Sequence, residues 1–147
     1  MTAMVVVVLG LLTATAAPVP RDAKKDALYG TWDQVSVETP VGKVPDDLVW
    51  NFEKEKVTAY PKAKPEKVIL THKLAVDSGK DPKEISLTFE HGDRKWVQHG
   101  IYKFEGDQLT ICLGVALGDA AVNESKRPTG YKAGPDTCLV VLKKSEK

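Results

Sequence analysis

The spacing of short β-favouring runs constrains this chain most. Eight such runs, Tyr29 to Thr39, Leu48 to Glu53, Lys56 to Tyr60, Lys67 to Val76, Glu84 to Glu90, Lys95 to Glu105, Gln108 to Val115 and Thr137 to Lys144, are separated by clusters of Gly, Pro, Asp and Lys. Brief apolar or alternating runs bounded by turn formers read as strands. Most of the connections, "PVGKVPDD", "PKAKP", "DSGKDPK", "HGDR" and "EGDQ", are short enough to join neighbouring antiparallel strands. The expectation is an all-β chain, an eight-stranded antiparallel up-and-down meander that removes its exposed edges by closing into a barrel.

One hairpin can be read residue by residue. In "GIYKFEGDQLTICL" a two-residue Gly106-Asp107 loop with glycine first sets Glu105 against Gln108, Phe104 against Leu109, Tyr102 against Ile111 and Gly100 against Leu113. Tyr102, Phe104, Leu109, Ile111 and Leu113 then share one apolar face, and Lys103, Glu105, Gln108 and Thr110 the other. Burying five such side chains contributes on the order of 10 kcal/mol before chain entropy is subtracted. Ile101 and Cys112 are the exceptions on the polar face.

The 147 residues, 42% of them apolar and 28% charged, suit a single core and lie far from the composition of disordered chains. A net charge of +1 provides no general attraction to nucleic acid or to an anionic membrane. At the N-terminus, Met4 to Leu12 is an apolar run followed by Ala14-Thr15-Ala16, the small-residue pattern of a signal peptide cleaved before Ala17. The absence of Lys and Arg ahead of that run leaves an uncleaved anchor as the alternative and the only expected membrane contact. The run is far shorter than the ~20 residues a spanning helix needs. The expected organisation is a signal peptide at 1–16, a linker at 17–27 and the barrel domain at 28–147, in a secreted or periplasmic monomer.

"LYGTWDQVSVE", "DPKEISLTF", "HGIYKFEGDQLTIC", "RPTGY" and "LVVLKK" occur in an order and spacing that resemble a lipocalin-like domain family of secreted planctomycete-type proteins. The resemblance covers about residues 28 to 144. It implies that Gly30-Thr31-Trp32 opens the first strand, that Trp32 plugs the closed end of the barrel, and that a cation from Lys143 or Lys144, with Lys143 taken first, lies on its ring. It does not carry ligand binding with it, because one barrel architecture hosts many functions.

No chemistry-bearing motif emerges. Taking "GDRK" as a four-residue turn pairs His91 with Trp96 and turns His99 to the other face, so His72, His91 and His99 do not converge and no metal is expected. Ser36, Ser78, Ser86, Ser125 and Ser145 lie outside any G-x-S-x-G setting, and the same pairing puts no histidine beside any of them. The glycines form no nucleotide-binding loop, so no cofactor, no catalytic residue and no enzymatic activity are expected.

The expected function is binding. A small apolar or amphipathic molecule would sit among Trp50, Phe52, Phe89, Tyr102 and Phe104 inside the barrel, with Val35 or Val37 also inward. An open apolar cavity of about 300 Å³ or more would mark such a carrier. The alternative is a non-catalytic structural or protein-interaction module, inhibitory or otherwise, that meets an envelope protein through its loops. The one long connection, residues 118 to 136, carries Arg127, Thr129 and Tyr131 and is expected either to fold over the barrel end or to recognise a partner. Cys112 and Cys138 are expected to form a disulfide if both face outward. The run "CLVVL" is apolar throughout, so alternation leaves the facing of Cys138 open.

Overall fold

The computed structural model describes residues 27–40, 44 and 46–146, so the leader at 1–16 and all but the last residue of the 17–27 linker lie outside the described residues. Nine strands follow in chain order: β1 (Gly30–Glu38), β2 (Leu48–Phe52), β3 (Lys56–Pro61), β4 (Leu70–Asp77), β5 (Lys83–His91), β6 (Arg94–Glu105), β7 (Gln108–Gly114), β8 (Val122–Glu124) and β9 (Thr137–Lys144). Each of β1 to β6 pairs antiparallel with the next, and β9 fits between β7 and β1, closing an eight-stranded up-and-down barrel with a lipocalin-like course. The ninth strand, β8, had no counterpart in the sequence reading. It is three residues long and pairs in parallel with Lys95–Val97 of β6, outside the closed ring.

The hairpin register is the expected one, with Glu105 opposite Gln108 and Gly100 opposite Leu113. Gly106 has φ +62 and no neighbour that a Cβ would strike, so the turn conformation alone calls for glycine there. The interior holds Trp50, Phe52, Ile85, Leu87, Tyr102, Leu109, Ile111, Val140 and Leu142 as one continuous core, with Phe104 partly buried against it.

The barrel seam decides several points that alternation left open. In the β1–β9 pairing Gln34 faces Leu142 but Ser36 faces Val141, so Val35 is the extra residue of a bulge. The bulge turns Val35 outward, 61% exposed, and brings Val37 against the core although Trp32 is also inside. On β9 the inward parity runs Cys138, Val140, Leu142, Lys144. Lys144, rather than Lys143, therefore reaches under the barrel, with its Nζ 4.8 Å from the centre of the Trp32 ring and donating to the Tyr29 carbonyl at 3.2 Å. Lys143 points outward and pairs with Asp107 at 3.9 Å.

The same parity overturns the disulfide: Cys112 faces Leu139 on the outer wall, Cys138 faces Leu113 on the inner one, and both thiols are free. Burial raises both thiol pKa values, so these groups behave as small apolar side chains.

The closed end is anchored at Trp32. Its Nε1 donates to the Leu28 carbonyl at 2.9 Å and its ring lies 6.0 Å from Phe104. Gly30 is favoured beside it by its φ of +119, which L side chains rarely adopt. Trp32→Ala should lower stability by ~3 to 5 kcal/mol in denaturant unfolding. Lys144→Met should cost ~0.5 to 1 kcal/mol through loss of the cation on the ring, and Lys143→Met only ~0 to 0.5 kcal/mol, as an exposed pair.

Tyr102 carries a second testable feature. Its ring is fully buried, its hydroxyl has no hydrogen-bond partner, and desolvation, with the neighbouring Tyr29, Asp77 and Tyr131 adding less, pushes its pKa up to about 12. Tyr102→Phe keeps the ring packing, including the edge-on contact with Phe104 at 5.8 Å, and removes the unpaired group. Thermal unfolding should show an unchanged or raised midpoint, a gain of ~0 to 2 kcal/mol.

Candidate functional site

The end of the barrel opposite Trp32 is where β5 ends and β6 begins. The two strands stay paired out to His91 opposite Arg94, whereas β7 leaves β6 at Gly100, so the β5–β6 hairpin projects beyond the ring. β8 runs along the edge of β6 that β7 has left, with Lys95 Nα–H donating to the Ala121 carbonyl at 2.8 Å and Ser125 Nα–H to the Val97 carbonyl at 2.9 Å. This covers an edge that would otherwise expose unpaired backbone groups.

The inner face of the projecting hairpin carries an aromatic row. The loop is the two residues Gly92-Asp93, with Gly92 at φ +60, rather than four residues, so Phe89 faces Trp96 and His91 faces Arg94. The Phe89 ring lies 5.7 Å from Trp96, 5.5 Å from His72 of β4, and 6.4 Å from His91, to which it is parallel. His72, Phe89 and Trp96, with Gln98 and Ala116, line a cavity of about 190 Å³. Burial holds the His72 pKa below the usual imidazole range, so the ring is neutral at neutral pH, and its Nδ1 is buried without a partner. The lining is therefore aromatic and uncharged, with one carboxamide.

Of the five residues expected to surround a ligand, only Phe89 reaches this cavity. Trp50, Phe52, Tyr102 and Phe104 belong to the packed core, and Phe89 itself is a rim residue, 41% exposed, rather than an interior one. His72, Trp96, Gln98 and Ala116 are not among the residues the sequence leads one to expect around a ligand. The signal for Trp96 was present: "HGDR" repeats the Gly-Asp pattern of "EGDQ", and the same two-residue loop sets Phe89 against Trp96.

The revised turn also moves His99. It faces Ser86 instead of Thr88, and the Ser86 hydroxyl lies 2.9 Å from His99 Nδ1, so a serine and a histidine do meet. Arg127 completes the group: Nη2 donates to Ser86 Oγ at 3.3 Å and to His99 Nδ1 at 3.2 Å, while Nη1 donates to the carbonyls of Ile85 (3.1 Å) and Gly100. Because the guanidinium can only donate, Nδ1 accepts and the His99 proton resides on Nε2. Ser125 Oγ accepts from the His99 backbone N–H at 2.8 Å, and Glu84 lies 3.6 Å from Arg127 Nε. Each guanidinium nitrogen faces a protein acceptor, an arrangement that fastens the long connection to the outer wall.

That connection lies along the wall of β5 to β7 instead of folding over the barrel end. It covers Ile101 and Cys112, the two apolar exceptions on the polar face, and the Lys132 carbonyl accepts from Cys112 Sγ at 3.7 Å. Arg127 and Thr129 line a groove of about 670 Å³ beside it, and Tyr131 packs its ring under Lys103 Nζ at 4.6 Å. A larger groove of about 1130 Å³, on the other side of the molecule, runs between the β2–β3 turn and β4–β5. Its walls mix both signs of charge, including Lys73–Glu90 at 3.1 Å and Lys56–Glu53 at 3.1 Å. Among the described residues no group of three His, Cys, Asp or Glu side chains is placed to hold a metal ion.

Arg127→Ala should release the connection locally by ~2 kcal/mol, read as roughly thirtyfold faster amide exchange at His99 and Ser125 with the barrel core unchanged. Arg127→Lys should not restore protection, because an ammonium cannot span two carbonyls, a hydroxyl and an imidazole at once.

Comparison with family models, with curated proteins and with solved structures gives no match to this chain.

Proposed function

We propose that this chain is an exported, non-catalytic binding protein of the lipocalin-like kind, which takes the apolar part of a small molecule end-on at the open mouth of the barrel. The observation that carries this reading is the uncharged aromatic cavity of about 190 Å³ formed by His72, Phe89 and Trp96 at the projecting hairpin. The volume is below the ~300 Å³ typical of pockets that enclose a whole ligand. The barrel below it is filled by Trp50, Phe52, Leu87 and their neighbours, so a ligand inserts only one end and leaves the remainder in solvent. Export is supported by the Met4–Ala16 pattern in the sequence.

Apolar side chains around the same end favour a second reading, an interaction module for an envelope protein. Val68, Ile69, Leu117 and Val122 are all more than 40% exposed.

Titration with 1-anilinonaphthalene-8-sulfonate, followed by its fluorescence, separates the two. Binding at a single site, weakened about tenfold or more by Phe89→Ala or Trp96→Ala through loss of ring contacts, is the expected result. No saturable binding, together with a cross-link to one envelope protein that is lost in a Leu117→Ser, Val122→Ser variant, would replace the carrier by the interaction module.

A further inference from the structure

The lining of the mouth cavity specifies more than apolarity. Resting on the binding reading above, we propose that its occupant is a single uncharged aromatic ring bearing a hydroxyl group, a phenol in chemical class. Three features carry this. A volume of about 190 Å³ is enough for one ring, since a dry cavity of about 150 Å³ admits benzene. An acyl chain would need more room than this, and the barrel interior is occupied by its own packed core.

The walls favour a flat partner. The rings of His72 and Trp96 are tilted by 40° and 32° against Phe89, so the three surround the space at differing angles and offer both faces and edges to an incoming ring. The lining carries no formal charge while His72 is neutral, so a carboxylate or ammonium would lose its hydration without gaining a counter-ion.

The hydroxyl is specified by Gln98. It faces Leu87 across β5 and β6 on the inner side, and its carboxamide carries both a donor and an acceptor, as does the neutral imidazole of His72, whose Nδ1 is buried without a partner. A wholly apolar ring would desolvate this carboxamide and return nothing to it. A phenolic hydroxyl can donate to its oxygen or accept from its nitrogen, which is how a site that hydrogen-bonds a hydroxyl rejects the analogue lacking one.

The test follows the indole N–H signals of the full chain by NMR during titration with phenol, toluene, benzoate, benzylammonium and 1-decanol. The Trp96 signal reports the cavity. The Trp32 signal, held by its bond to the Leu28 carbonyl, reports an intact fold in every variant. Phenol should shift Trp96 and bind about fivefold to tenfold more tightly than toluene, the worth of one hydrogen bond. Benzoate and benzylammonium, which must leave their charge in solvent, should bind no more tightly than toluene. Gln98→Leu should abolish the preference for phenol while toluene still binds, and Phe89→Ala should weaken both.

Equal binding of phenol and toluene, or an unchanged preference in Gln98→Leu, overturns the hydroxyl assignment. Binding of 1-decanol without phenol overturns the ring class and leaves the end-on binding reading standing. Failure of every probe to move Trp96 overturns both.

Discussion

Closure of the barrel depends on β9, because it is the strand that joins β7 to β1 and so converts a meander with two open edges into a ring. Its facing is fixed from both sides. Val140 and Leu142 must be inward to complete the core with Ile111 and Leu109, and that choice sends Lys144 under Trp32. One parity thus supplies the cation at the closed end, turns Cys138 to the inner face and separates it from Cys112. The bulge at Val35 makes the seam workable, since it allows Trp32 and Val37 both to face inward from positions of opposite parity.

The opposite end depends on a mismatch of strand lengths. β6 is twelve residues long and β7 seven, so the β5–β6 hairpin projects with one edge bare. The chain covers that edge with β8 and then fastens the returning connection with Arg127, whose guanidinium reaches two strand carbonyls, Ser86 and His99. Protein acceptors around a partly buried guanidinium lower the cost of removing it from water, which an unpaired cation would bear in full. The Ser86–His99 contact belongs to this fastening. The cavity lies on the other face of the same hairpin, so the outer polar group and the inner aromatic row are two sides of one projecting element.

A packed interior and a small mouth cavity are linked physically. Eight strands enclose a space that side chains can fill, and here three aromatic residues near the closed end, Trp32, Phe52 and Tyr102, fill it. Only where the hairpin extends past β7 is there too little facing wall to complete the packing, and there the rings of Phe89 and Trp96 are left partly uncovered. Binding capacity at this end is thus a consequence of strand overhang, and its chemistry is that of the few residues on the overhang.

The sequence by itself determined the eight barrel strands, their antiparallel order, the Gly106-Asp107 register and most of the core, because period-two patterning and turn chemistry are local properties carried by contiguous residues. It also contained the Gly92-Asp93 turn, although reading "GDRK" as a longer loop concealed the meeting of Phe89 with Trp96 and of Ser86 with His99. Only the tertiary structure decided which face of "CLVVLKK" is inner, since an apolar run has no alternation and takes its parity from the strands on either side. The course of the 115–136 connection, the three-residue β8 within it and the cavity at the mouth were likewise tertiary. Each arises where strands of unequal length meet, and that geometry appears only when residues as distant as Ile85 and Arg127 are brought together.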